Sequence, residues 1–216
     1  MNYNIFDIET GPLSVEFLID QMPAFKAPSN YKDEAKIEAN IKEQENRWFQ
    51  KAALDAATGQ VLAIGYKDHD GNIAIHSQKS SSEREILQNF WDLSTKDHTS
   101  KWIGFNSHGF DLPFLFRRSL VHGITVGQPI RENRYWPRKF TDLMEVWSCG
   151  NNQQRISLDR IAKMLGIGGK SGSGAHFAEL FISNPKAAFD YLKHDLDLTD
   201  SVLQKMLPWI AGGQDE

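Results

Sequence analysis

Four acidic residues in three distant segments could do chemistry together: Asp7 and Glu9 in Phe6-Asp7-Ile8-Glu9-Thr10, Asp111 in Asn106-Ser107-His108-Gly109-Phe110-Asp111, and Asp195 in Tyr191-Leu192-Lys193-His194-Asp195. Each sits beside or among apolar residues of the kind that form a core. A carboxylate drawn toward low dielectric needs a compensating partner, because an isolated buried charge is strongly unfavourable. Several together repel one another unless a divalent cation neutralises them. Oxygen donors without a neighbouring cysteine suit Mg²⁺ or Mn²⁺. The expectation is a metal site assembled by folding, with metal-dependent phosphoryl chemistry as its leading use.

The elements that carry these residues are legible in part. Residues 2–9 alternate as a strand, which puts Asp7 and Glu9 on one face with their backbones about 6–7 Å apart. An edge strand with its polar face in water is the competing account of that pair. Asp111 falls at the start of a helix over 110–122, after a strand over 102–106 and a turn over 106–109. The helix dipole tolerates a carboxylate there without any metal. Tyr191 and Asp195 are one turn apart, separated by about 40° around a helix. Leu192, Leu196, Leu203 and Leu207 form that helix's apolar side, and Asp197, about 200° from Asp195, points elsewhere. A solvated acidic helix is the alternative, since Asp190 and Asp200 are also present.

Other segments complete an α/β pattern. Strands are expected at 60–67 and 72–78, joined by a turn through Asp70-Gly71. A helix over 82–94 opens with the capping box Ser82 and Glu85. Residues 140–144 form a short fifth strand or begin a helix, and a helix over 157–165 ends at Gly166. The last helix starts with Asn184 as N-cap and Pro185 at its first position, and it should stop before Pro208. The order predicts a mixed five-stranded sheet flanked by helices. Residues 13–58 interrupt it as an insertion between the first two strands, Pro-rich over 21–30 and helical over 32–55 with Ile37, Ile41, Trp48 and Ala52 roughly on one face. Connections of this length are usually lids, binding insertions or arms, although a helix packed outside the sheet would fit equally.

The three motifs in this order resemble the DEDD 3′–5′ exonucleases of the DnaQ-like branch of the ribonuclease H-like superfamily. The tyrosine variant, found in the proofreading domains of family B DNA polymerases, is the more similar. The histidine variant would need His where Asp190 stands. The resemblance implies a single ribonuclease H-like exonuclease domain over 1–216. It implies two Mg²⁺ or Mn²⁺ ions held by Asp7, Glu9, Asp111 and Asp195, with Tyr191 orienting the attacking water. It further implies that Thr10 and Gly11 meet the terminal nucleotide and that Asn106 and Phe110 touch the next sugar or base. The implied substrate is single-stranded nucleic acid at a 3′ end, DNA before RNA, with nucleoside 5′-monophosphates as product. A polymerase or another replication or repair protein is a conceivable partner.

Composition bounds these expectations. The formal charge is −4, yet residues 100–140 hold seven Lys/Arg against two acidic residues, which fits a local polyanion track or a set of solvated helix faces. Arg131, Arg134, Tyr135, Trp136, Arg138 and Lys139 interleave cations with aromatics as a single-strand track needs. One cysteine, Cys149, rules out an intrachain disulfide and a cysteine-cluster zinc site. The seven histidines lack tight ligand spacing, and Gly166–Ser171 fails as a phosphate loop because Met164 occupies the earlier glycine position. No secretory signal and no membrane span is expected, leaving a cytoplasmic protein as the default. Two other readings stay open: a non-catalytic nucleic-acid-binding or replication accessory module with this fold, and a ribonuclease H-type endonuclease.

Overall fold

The computed structural model describes residues 2–96, 99–127, 139–169, 172 and 174–210. Five strands form its centre: β1 (Tyr3–Pro12), β2 (Gly59–Asp68), β3 (Ile73–Ser77), β4 (Lys101–Gly104) and β5 (Phe140–Asp142), in the order β3-β2-β1-β4-β5. The pairs β1/β2 and β2/β3 are antiparallel, whereas β1/β4 and β4/β5 are parallel. The expected mixed sheet is present, and β1 is its middle strand, not an edge. Eight α-helices flank it among the described residues: α1 (Val15–Gln21), α2 (Glu34–Lys51), α3 (Glu83–Lys96), α4 (Asp111–Val121), α5 (Leu143–Ser148), α6 (Leu158–Met164), α7 (Phe177–Ser183) and α8 (Pro185–Ile210).

Strand alternation divides the core in two. Phe6 and Ile8 pack with Phe90 of α3 and Leu112 and Leu115 of α4. Tyr3 and Ile5 face the other way, toward Leu196, Val202 and Leu203 of α8. Asp7 and Glu9 share the parity of Tyr3 and Ile5, so β1 turns them toward α8. Turn chemistry sets the ends. Gly71 takes φ +90° in the β2–β3 hairpin, and Asp68 accepts the N–H groups of Asp70 and Asn72. The capping box closes at α3, where Ser82 N–H donates to Glu85 Oε2 at 2.7 Å.

Several boundaries differ from the sequence expectation. β4 ends at Gly104 because Asn106 turns left-handed, with φ +62°. Residues 140–148 satisfy both alternatives: β5 passes directly into α5, with Asp142 as the N-cap accepting Met144 N–H. α8 runs through Pro208 to Ile210. The missing proline N–H removes one bond to the Gln204 carbonyl, which lies on the exposed side of the last turns and can turn to water. In the insertion, α2 buries no residue completely, and Ala52 belongs to a following 3₁₀ turn, Ala52–Leu54. The insertion is anchored at its base instead. Thr10 Oγ1 donates to Ala53 O at 2.6 Å, and Arg118 bridges Ala56 O and the buried carboxylate of Glu83. Among the described residues no helix is long and apolar enough to cross a membrane.

Candidate metal centre

Small residues let the two halves of the site approach. Asp7 pairs with Gly65 and Glu9 with Ala63 across the β1–β2 ladder, and the register shifts immediately after Glu9. A Cβ at Gly65 would lie 2.8 Å from Leu196 Cδ1 and 3.0 Å from Leu192 Cγ, so α8 rests directly on the β2 backbone there. This close approach brings the Tyr191/Asp195 face of α8 to the strand. Carboxylate oxygens of Asp7, Glu9 and Asp195 consequently lie within 4.8 Å of one another. Glu9 is 7% exposed and Asp195 2%. Asp197, expected to point away, is on the surface with Lys67 at 2.7 Å.

Asp111 stands outside that trio of oxygens but within its field. It opens α4, is 3% exposed, and its Oδ1 accepts the N–H of Ile8 at 3.2 Å, between the two strand acids. Burial, and after it the charge of Asp7, pushes its carboxyl well above the usual carboxylate range. Tyr191 is also buried. Burial, followed by the charges of Asp195 and Glu9 and a hydrogen bond to Asp195, pushes its hydroxyl far above the ordinary tyrosine value. At neutral pH this hydroxyl is protonated in the metal-free fold.

The donor set fits hard divalent cations. It consists of carboxylate oxygens in a largely buried cluster, with Asp7 half-buried, whose mutual repulsion a cation would relieve. Cys149 is exposed at the end of α5 and takes no part. A cavity of about 400 Å³ opens beside Asp7, lined also by Asn106, Met144, Ser157, Gly172 and Gly174. Gly174 borders the Tyr191/Glu9 corner: a Cβ there would lie 3.6 Å from Tyr191 Oη and 3.9 Å from Glu9 Oε2.

The residues expected to touch substrate are dispersed around this centre. Asn106 lines the cavity, and Phe110 is half-buried with its ring 5.5 Å from that of Phe114. Gly11 is buried under Leu62, where a Cβ would come 2.6 Å from Leu62 Cδ1, and the Thr10 hydroxyl is engaged with Ala53 O. Of the basic-aromatic track, Arg131, Arg134, Tyr135, Trp136 and Arg138 lie outside the described residues, and Lys139 precedes β5.

A second cluster escaped the sequence. His108, Asp142 and Glu145 also bring potential ligand atoms within 4.8 Å of one another. Asp142, however, is committed to the backbone: Oδ1 accepts Asn106 N–H at 2.8 Å and Met144 N–H at 2.9 Å, and Oδ2 accepts His108 N–H at 3.0 Å. Burial raises its carboxyl, opposed by the amides of His108 and Met144. Glu145 is paired with His108 Nδ1 at 2.8 Å. The cluster is therefore a clamp on the turn over 106–109 that leads to Asp111. Its one local signal was Asp142 followed three residues later by Glu145, at the end of a strand.

Comparison with known proteins bears on the fold and the family. The chain matches the family B DNA polymerase of the hyperthermophilic archaeon Pyrobaculum calidifontis with a TM-score of 0.65 and 18% identity, over 96% of this chain and 25% of that one. That likeness shows the fold, a mixed five-stranded α/β sheet flanked by helices that is also present within a family B DNA polymerase. A protein of Methanocaldococcus jannaschii, "Uncharacterized protein MJ0365", is 36% identical over 78 residues, which are 36% of this chain and 42% of that protein. DNA polymerase beta of African swine fever virus is 27% identical over 85 residues, 37% of this chain and 6% of the polymerase. The chain thus spans less than half the length of these curated relatives. A family profile matches residues 51–199, more than half of the chain, including Asp111, Tyr191 and Asp195 but not Asp7 or Glu9. The chain belongs to the family described as "Predicted 3'-5' exonuclease related to the exonuclease domain of PolB".

Proposed function

We propose that the chain acts as one exonuclease domain over residues 1–216, with 13–58 as an insertion, and removes nucleotides from the 3′ end of single-stranded DNA, with RNA as the nearest alternative substrate. The observation that carries this reading is the trio of half-buried Asp7 and buried Glu9 and Asp195, whose oxygens lie within 4.8 Å of one another, beside the hydroxyl of Tyr191. Asp7, Glu9 and Asp195, joined by Asp111, would hold two Mg²⁺ or Mn²⁺ ions. Bound there, such ions lower the pKa of the attacking water and stabilise the leaving 3′-oxygen. Tyr191, held protonated, orients that water from the edge of the cluster, next to Glu9. Gly174 places no side chain against Tyr191 Oη and Glu9 Oε2. Asn106, on the turn clamped by Asp142, would meet the substrate from the cavity side, and Phe110, the residue before α4, would meet it from outside that cavity. The products are nucleoside 5′-monophosphates.

Digestion of single-stranded DNA and RNA oligonucleotides labelled at the 5′ end, with Mg²⁺ or Mn²⁺, tests the reading. A ladder shortening by one nucleotide at a time, lost on blocking the 3′ end, is the expected result. Internal cuts that survive the 3′ block would indicate an endonuclease. Tight binding with no cutting would indicate a nucleic-acid-binding module.

A further inference from the structure

Arg155 stands at the mouth of the site with its guanidinium only loosely held. It follows the 3₁₀ turn Asn152–Gln154 and precedes Ile156 and Ser157, both of which line the same cavity as Asp7 and Asn106. It also lies against the turn that carries Asn106: a Cβ built on Gly109 would come 3.4 Å from Arg155 Nη1 and 2.5 Å from Asn106 Oδ1. Glu145 Oε1 is 4.0 Å from Arg155 Nη2, an ion pair too long for a hydrogen bond, and the arginine side chain is 34% exposed. The other Glu145 oxygen is already taken by His108. A partly exposed guanidinium in a weak pair keeps donors for an incoming anion at little desolvation cost.

The surroundings indicate which anion. A strand whose last phosphodiester is drawn to Asp7, Glu9 and Asp195 brings its next phosphate past Asn106, into a region where Asp142 and Glu145 also contribute negative charge. Approach there requires a cation. A planar guanidinium can give two parallel N–H bonds to one phosphodiester, which an ammonium cannot. Resting on the exonuclease reading above, we propose that Arg155 binds the phosphate on the 5′ side of the scissile one, and that Glu145 is the counter-charge it leaves on doing so.

The test uses the full chain and two DNA substrates labelled on the 5′-terminal base: a dinucleotide, whose single phosphate is the scissile one, and a tetranucleotide. Binding is followed by fluorescence anisotropy with Ca²⁺ over a range of salt, and hydrolysis is followed with Mg²⁺. Arg155→Ala should weaken the tetranucleotide about tenfold, leave the dinucleotide within about twofold, and reduce the slope of log Kd against log salt by about 0.7. Arg155→Lys should keep the slope while losing part of the affinity. Equal weakening at both lengths, an unchanged slope for the tetranucleotide, or a wild type that binds neither would overturn the assignment. If the length-dependent loss appears while the wild type hydrolyses neither substrate, Arg155 stands as a contact to the second phosphate from the 3′ end and the exonuclease reading falls.

Discussion

Asp7 and Gly65 face each other across the β1–β2 ladder, and α8 lies on the glycine where a side chain would otherwise stand. The helix can deliver Asp195 to Asp7 because its partner strand offers no Cβ at that point. Gly65→Ala should therefore destabilise the fold by about 1–3 kcal/mol through overpacking against Leu196 and Leu192. It should also weaken Mn²⁺ binding, because the shift moves α8 away from β1. Thermal melts with and without Mn²⁺ separate the two effects: the metal-dependent rise in Tm should shrink along with the base value.

Tyr191→Phe removes one hydroxyl and keeps the ring among Phe177 and its neighbours. Stability and metal affinity should change little, while kcat for a single-stranded oligonucleotide should fall by about 10²-fold. The raised pKa of the hydroxyl gives the sign of a second outcome. The group stays protonated through neutral pH in the metal-free fold, and the pH–rate profile of wild type should show no limb that Tyr191→Phe abolishes. Disappearance of a limb near neutrality would mean that the tyrosine works as a base.

Asp111 is buried beside another carboxylate, with no cation of the chain to relieve it among the causes that shift it. Asp111→Asn retains the size of the side chain and an acceptor for Ile8 N–H while removing the charge. The metal-free protein should gain stability on the order of 1 kcal/mol, and the stabilisation by Mn²⁺ should largely vanish. Calorimetric melts of both proteins, with chelator and with Mn²⁺, check the opposite signs.

Asp142 holds the turn over 106–109 through both carboxylate oxygens. Asn at this position can accept two of the three N–H bonds but sets an amide N–H against that of His108. Asp142→Asn should cost about 1–3 kcal/mol in stability. It should lower kcat more than it raises KM, because the turn positions Asp111 beside the acidic cluster, whereas Asn106 is only one of several proposed contacts to the strand. Steady-state kinetics well below the melting temperature of the variant would show this split.

Local rules carried much of the architecture and stopped where partners are remote. Alternation in β1, the Asp-Gly turn before β3, the capping box at α3 and the one-turn spacing of Tyr191 and Asp195 are all written in neighbouring residues. The central place of β1 is not, because strand order depends on pairing with β4, about a hundred residues away; without it the solvated-edge account of Asp7 and Glu9 stayed open. The helices α1 and α7 are seven residues each, too short for a periodic signal, and unlike the equally short α6 neither is closed by a glycine. β4 was overextended because aromatic Phe105 continues the strand pattern, while the left-handed turn at Asn106 ends it. The clamp by Asp142 joins residues more than thirty positions apart, and only the folded chain shows that its oxygens are spent on amides.

Calorimetric titration of Mn²⁺ into wild type and Asp7→Ala tests the central claim most directly. Convergence of Asp7, Glu9 and Asp195 predicts a saturable heat for wild type, weakened by at least about 10–100-fold or lost in the variant, with the fold retained by circular dichroism. Mn²⁺ heats indistinguishable between the two proteins, or none with wild type, would contradict it.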